Sequence, residues 1–247
     1  MAVFSRSRRR LLLGGAAVAG LLRPAPSQAG ALSVNPVLVT FRPGQTMATF
    51  EVANRGGTPT ATQIRLFAWS QNGDEDVLTP TTDLLASPPL FDIKADEEQI
   101  VRLVQRRPSE RLERTYRLIL DEIPQAGGAR EIVVALRISL PVIVAGTSPA
   151  SPDLTWRAER GQGNQLILAA RNAGRRHIRV NLLEALLPQQ RGAVAAKAIS
   201  GNPFVLAGAE RRWSLALPAG ASPGGTLRLR MQSDTGSPSE FTVPLSS

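Results

Sequence analysis

The chain has 247 residues, of which 43% are hydrophobic and 20% are charged, and its formal net charge is +9. It has no cysteine and one histidine, so a disulfide framework is excluded and transition-metal sites and catalytic triads lack partners. We therefore expect no catalytic residue, no metal site and no cofactor, and the composition disfavours an enzyme.

Residues 1–29 have the pattern of a secretory signal peptide. Arginines at the start precede an apolar run over residues 11–22, and small residues stand before a cleavage point after Ala29. Cleavage at Ala31 is the alternative. Residues 7–12 also resemble a twin-arginine export motif, which leaves the export route open.

Removal of this segment changes the charge of the remaining chain. Residues 1–31 contain five arginines and no acidic residue, so their loss lowers the formal net charge from +9 to +4. The rest of the chain shows no interleaving of aromatic and basic residues, which is the pattern that nucleic-acid binding requires. We therefore expect no nucleic acid as a partner.

Alternating or short apolar runs, separated by Gly, Pro, Asn and Asp, predict strands throughout the rest of the chain. In the first half the predicted strands are Leu32–Phe41, Met47–Asn54, Ala61–Gln71, Gln99–Val104, Thr115–Ile123 and Glu131–Val144. In the second half they are Leu154–Ala158, Gln165–Asn172, His177–Leu187, Arg211–Leu217, Thr226–Gln232 and Glu240–Leu245. Residues 182–187 also fit a helix.

This pattern predicts an all-β protein made of two immunoglobulin-like sandwiches, because each half has six or seven strands in about a hundred residues. The proline-containing stretch over residues 146–152 is the predicted linker. The predicted domains are residues 30–147 and residues 148–247.

The predicted strand Glu131–Val144 has one fully apolar face. Its even positions are Ile132, Val134, Leu136, Ile138, Leu140, Val142 and Val144. An exposed strand edge of this kind invites pairing with another chain, and most proteins protect such an edge. The alternative interpretation is a long central strand of a sandwich.

Four further motifs precede this strand in the first half of the chain. They are Phe-Ala-Trp-Ser-Gln at residues 67–71, Leu-Leu-Ala-Ser-Pro-Pro-Leu-Phe at 84–91, Gln-Ile-Val-Arg-Leu at 99–103 and Thr-Tyr-Arg-Leu-Ile-Leu-Asp-Glu-Ile-Pro at 115–124. In this order they resemble the periplasmic chaperones of the chaperone–usher pathway for pili. The resemblance covers residues 32–144, whereas the second half matches only in length and strand content.

The resemblance implies two sandwiches in an L shape, a location in the periplasm, and pilin or fimbrial subunits and an outer-membrane usher as partners. Such chaperones lend their long edge strand to a subunit that lacks its last strand, which is β-strand addition. The implied subunit-binding residues are Ile132, Val134, Leu136 and Ile138, with Leu140 completing the row. For each of them the alternative is packing inside the chain's own sandwich. Self-association through the same edge is also expected.

Conventional members of this family anchor the subunit's terminal carboxylate with two basic residues. The matching positions here are Leu38 and Pro141, which carry no charge. The sequence therefore resembles more closely the archaic or alternative branch of the family. Arg117 alternates away from the predicted core positions and is the candidate replacement, since arginine binds carboxylates bidentately. A solvated or internally paired arginine is the alternative.

Other polar residues give weaker signals. His177 follows two arginines near a predicted turn, and we expect it at the surface. Asp121 and Glu122 are adjacent on a predicted strand, so their side chains point to opposite faces and do not form an acid–base pair. The alternative function is a structural or adhesive surface protein with two immunoglobulin-like domains, and a hydrolase is disfavoured.

Overall fold

The described part of the chain consists of strands and their connections. The structure is a computed structural model that describes residues 32–73, 75–107, 110–124, 135–186, 193–199, 202–219 and 225–246. It contains eighteen strands, and those ranges include no helix. A search of the same ranges for a helix long and apolar enough to span a bilayer accordingly finds none.

Ten strands form the first domain. In chain order they are β1 (Leu32–Asn35), β2 (Val39–Phe41), β3 (Met47–Asn54), β4 (Thr60–Asn72), β5 (Glu75–Pro80), β6 (Leu84–Ser87), β7 (Leu90–Ile93), β8 (Glu98–Gln105), β9 (Arg114–Ile123) and β10 (Arg137–Val144). One sheet has the order β1-β3-β8-β6. The other has the order β2-β10-β9-β4-β5, and β7 also pairs with β4.

The two sheets share one hydrophobic core, as expected for a sandwich. Phe50 and Val101 come from the first sheet, Leu118 and Val142 come from the second, and all four are fully buried. Burial alternates along the strands because successive side chains point to opposite faces. In β8, for example, Val101 is buried while its neighbour Ile100 is 59% exposed.

The first domain has ten strands where the sequence predicted six, and β5, β6 and β7 are among the strands that were not predicted. The predicted strand Leu32–Phe41 is two strands, β1 and β2, which enter different sheets on either side of Pro36. The described part of the predicted strand Glu131–Val144 is regular only from Arg137 onward, and residues 131–134 lie outside the described residues. Strand β5 was not predicted because all six of its residues are exposed, so it lacks an apolar alternation.

Eight strands form the second domain. They are β11 (Leu154–Arg160), β12 (Gln165–Asn172), β13 (Ile178–Leu186), β14 (Ala193–Ala198), β15 (Phe204–Val205), β16 (Glu210–Ala216), β17 (Thr226–Ser233) and β18 (Ser239–Ser246). They follow one path, β14-β13-β17-β18-β11-β12-β16, with β15 also paired to β13. Residues 182–186 are strand rather than helix, because β14 and β17 pair with them on both sides.

The sheet of the second domain folds over a core of its own. Val180 from β13 and Leu215 from β16 lie in one buried cluster, although their strands stand near opposite ends of the path. Residues 145–153 connect β10 to β11 and so link the two cores. The predicted boundary between residues 147 and 148 falls within this connection and stays a prediction.

Tyr116, the only tyrosine of the chain, connects the core to a loop. Its hydroxyl donates a hydrogen bond of 2.9 Å to the Asp83 carboxylate, and its side chain is almost fully buried. Burial, together with this hydrogen bond to an acidic group, raises the pKa of Tyr116 from its ordinary value to about 12.

The raised pKa of Tyr116 predicts a loss of stability in alkali. An unfolded tyrosine titrates near pH 10, so the stabilisation is complete below pH 10 and disappears as the pH rises from 10 to 12. We expect the free energy of unfolding to fall by about 2–3 kcal/mol over this range. Urea unfolding at pH 9 and pH 11.5 measures it, with phenolate absorbance as a direct probe. An equal fall in Tyr116→Phe would contradict the assignment.

Candidate functional site

Two adjacent carboxylates of β9 hold the start of strand β10. The Leu136 N–H donates to Glu122 Oε2 at 3.0 Å, and the Glu122 N–H donates to the Leu136 carbonyl at 2.9 Å. Arg137 and Arg65 donate to the two oxygens of Asp121 at 2.5 and 2.6 Å. Burial alone would raise the pKa of Asp121, but these two arginines hold it below its ordinary value. The two carboxylates thus fix the strand instead of acting on each other.

One edge of β10 is unpaired over the first part of the strand. All eight residues of β10 pair with β9, but only residues 142–144 pair with β2. The Leu136 carbonyl binds β9, and backbone groups alternate in direction along an antiparallel strand. Arg137, Ser139 and Pro141 therefore direct their backbone groups to the other edge. Within the described ranges, no strand pairs with β10 there.

The predicted donor row lies at this edge in part. Ile132 and Val134 fall outside the described residues. Leu136 and Ile138 are half-buried and pack against the edge of the first core. Leu140 is 3% exposed and belongs to that core itself. The burial of Leu140 favours the alternative interpretation, packing inside the chain's own sandwich, and its place in the donor row stays a prediction.

Arg117 projects from the outer face of β9, away from the core. Its guanidinium carbon lies 3.8 Å from the centroid of the Trp69 ring, and its Nη2 lies 3.4 Å from Asp76 Oδ2. Burial lowers the pKa of Arg117, and the nearby Asp76 carboxylate offsets this in part. The arginine is thus paired within the chain, which matches the second of the two interpretations drawn from the sequence.

The two uncharged positions of the expected anchor lie next to Arg117. Pro141 stands directly opposite Arg117 in the pairing of β10 with β9. Leu38 packs against the cluster that contains Trp69, the ring on which Arg117 stacks. Arg117 therefore brings a positive charge close to both uncharged positions.

Trp69 also contacts the second domain. It is 3% exposed and meets the Phe204 ring edge to face, with 5.3 Å between the ring centroids. Gln71, two residues along the same strand, donates to the Phe204 carbonyl and accepts from the Leu206 N–H. The Trp69 indole nitrogen is buried and has no hydrogen-bond partner among the described residues. The contact between the two domains at Trp69, Gln71, Phe204 and Leu206 is called the seam.

His177 lies in this seam, so the prediction of a surface histidine is wrong. Its Nδ1 lies 2.8 Å from Glu113 Oε1, and its backbone N–H donates to the same oxygen at 2.9 Å. Both side chains are more than nine-tenths buried. The sequence predicted exposure because a polar residue in a turn is usually in contact with solvent. Here the packing of the two domains against each other covers it.

Comparison with known proteins identifies the first domain. The family model of the pili and flagellar-assembly chaperone, PapD N-terminal domain, matches residues 31–149. The first domain is thus similar to the N-terminal domain of the pilus assembly chaperones. These assembly chaperones are binding proteins and not enzymes. Among curated proteins, none matches the chain significantly.

Solved chaperone structures have the same two-domain fold. A chain of the CsuC–CsuE chaperone–tip adhesion subunit pre-assembly complex of Acinetobacter baumannii matches with a TM-score of 0.63 and 20% identity, over 87% of this chain and 99% of that one. The Salmonella enterica SafA pilin–SafB chaperone complex gives 0.57 and 19%, over 88% and 97%. The Pseudomonas aeruginosa CupB2 chaperone gives 0.54 and 14%, over 86% and 100%. At these identities the likeness establishes the fold alone.

Proposed function

We propose that this chaperone binds pilin or fimbrial subunits by β-strand addition along the free edge of β10, and delivers them to an outer-membrane usher. The observation that carries the proposal is the unpaired edge at Arg137, Ser139 and Pro141. An exposed strand edge has backbone donors and acceptors that need a partner. A subunit strand laid along this edge supplies that partner.

The side chains at this edge suit an apolar groove. Leu136 and Ile138 lie on one face of the strand and pack only partly against their own domain. Each side chain of this size contributes about 1.5–3 kcal/mol when it becomes fully buried. Main-chain hydrogen bonds add a contribution that does not depend on the subunit's sequence. Ile132 and Val134 stay predicted members of the same row.

The relatives support this function and the branch of the family. Two of the matching structures are complexes of a chaperone with its subunit, CsuC–CsuE and SafB–SafA. The first of these comes from archaic chaperone-usher pili. Uncharged residues at Leu38 and Pro141 fit that branch, and Arg117 is the proposed anchor for a subunit's terminal carboxylate. The function places the chain in the periplasm.

A proline at position 139 tests strand addition. Its ring removes the N–H that Ser139 directs to the free edge, and it leaves the pairing with β9 intact. We expect Ser139→Pro to fold and to bind a subunit at least about tenfold more weakly, whereas Ser139→Ala binds normally. The measurement is a pull-down from periplasm, with the captured subunit quantified by mass spectrometry.

Two results of this pull-down would count against the proposal. Equal capture by the proline and alanine variants would rule out pairing at this edge. Stable, monomeric protein that captures nothing in any form would favour a stand-alone immunoglobulin-like surface protein. Dimers that form in the wild type and not in Ser139→Pro would indicate that the chain covers the same edge by self-association.

A further inference from the structure

A single carboxylate joins two arginines from the two domains. Arg117 Nη2 lies 3.4 Å from one oxygen of Asp76, and Arg211 Nη1 lies 3.2 Å from the other. Arg117 belongs to β9 of the first domain and Arg211 belongs to β16 of the second. The arginine side chains are only 10% and 14% exposed, whereas Asp76 is 27% exposed.

Two amides complete the surroundings of the Asp76 carboxylate. Asn202 Nδ2 donates to Oδ2 at 2.5 Å, and Gln71 Nε2 donates to Oδ1 at 3.1 Å. Each carboxylate oxygen therefore faces one arginine and one amide donor. Four donors that converge on one carboxylate form a site for that chemical group, and in the structure an internal side chain occupies it.

The group that occupies this site lies on a peripheral strand. Strand β5, which contains Asp76, has no buried residue, and in the part of the chain that the structure describes its one paired strand is β4. The two arginines that bind Asp76 are held more firmly than Asp76 itself. Arg117 stacks on Trp69, and Arg211 also donates to the Asn202 carbonyl. The two arginines thus have contacts that do not depend on Asp76, whereas the strand that contains Asp76 has no buried residue to hold it in place.

The charges of the site make an anion necessary. Two guanidinium groups with little access to water repel each other and lose hydration, unless a negative group lies between them. The Trp69 ring that supports Arg117 also has a buried N–H with no partner among the described residues. A further hydrogen-bond donor therefore belongs to the ring on which Arg117 stacks.

We propose that Asp76 is an internal occupant of a carboxylate site shared by Arg117 and Arg211, and that a chain-terminal carboxylate displaces it. The inference rests on the proposed function, because the displacing group is the end of a captured subunit. It adds Arg211 to the proposed carboxylate anchor, and it makes Asp76 the group that regulates access to that anchor. Capture of a subunit breaks the contacts by which Asp76 joins Arg117 and Arg211 of the two domains. Release of the subunit allows these contacts to re-form.

The test uses acetate as the probe and the full exported chain. Arginine Nε–H resonances are followed by NMR, and those of Arg117 and Arg211 are assigned by their loss in Arg117→Ala and Arg211→Ala. We expect both resonances to shift with saturation in acetate, and not in acetamide or in chloride at equal ionic strength. In Asp76→Asn the acetate affinity should rise about tenfold, because the internal competitor is gone.

A matched control separates competition from a general change of charge. Glu75→Gln removes the same charge from the neighbouring position of β5, and should leave acetate binding at the wild-type level. Acetate affinity that is equal in Asp76→Asn and the wild type would overturn the proposal, as would equal shifts in chloride. Because acetate replaces the subunit, this result is independent of the pull-down, so failure of the anchor and failure of the chaperone function are distinguishable.

Discussion

Replacement of Leu136 by glutamate is expected to abolish subunit capture while the chain stays folded. Leu136 is half-buried at the edge of the first core, so the chaperone tolerates a polar group there better than at the fully buried Leu140. A subunit groove would have to bury the new carboxylate without a partner and would lose the leucine's apolar contribution. We expect at least about a hundredfold loss of affinity, which corresponds to about 3 kcal/mol.

Ala135→Glu is the matched control for this experiment. It adds the same charge at an exposed neighbouring position, where the side chain points to the opposite face. Binding is measured by titration of the subunit identified in the pull-down, and folding by circular dichroism. If Leu136→Glu unfolds, Leu136→Ala is used to test the role of Leu136 instead. A stable alanine variant with unchanged subunit capture would show that Leu136 belongs to the chain's own core.

Replacement of Trp69 by alanine is expected to lower stability by about 3 kcal/mol and to uncouple the domains. The substitution leaves a cavity among Leu38, Phe204 and Leu206, and it removes the ring beneath Arg117. Differential scanning calorimetry should show two separate transitions in the variant where the wild type shows one.

Trp156→Ala provides the comparison for Trp69→Ala. Trp156 stacks on Trp213 and packs beside Phe241 in the second domain, away from the seam. Its loss should lower the melting temperature of the second domain without splitting the transition. A single transition in Trp69→Ala, shifted no more than in Trp156→Ala, would show that the seam does not couple the domains.

The fold was predictable because its signals are local. Alternation along a strand identifies both its existence and its buried face, and this located the strands that contain Phe50, Val101 and Leu118. Strand β5 escaped because a fully exposed strand has no such alternation. The same alternation predicted that Arg117 points away from the core, since Tyr116 and Leu118 on either side of it are core residues.

The partners of Arg117 were not predictable. Asp76 and Arg211 are 135 positions apart, and Glu113 and His177 are 64 apart in different domains. No local pattern indicates which residues meet when two domains pack together. The burial of Leu140 was not predictable for a related reason, because alternation shows which face a side chain occupies and not where along the strand the domain's own core ends.

The two ends of β10 differ in how many strands they pair with, and this difference affects how β10 responds to force. Residues 142–144 are bonded on both sides, by β2 and β9, whereas, among the residues that the structure describes, residues 137–141 are bonded on one side only. A pull on the 137 end loads the bonds to β9 one after another, so that end peels at low force. A pull along the strand toward 144 loads many bonds together in shear. The strand thus has a mechanically weak end and a strong one, and the proposed subunit would pair along the weak end.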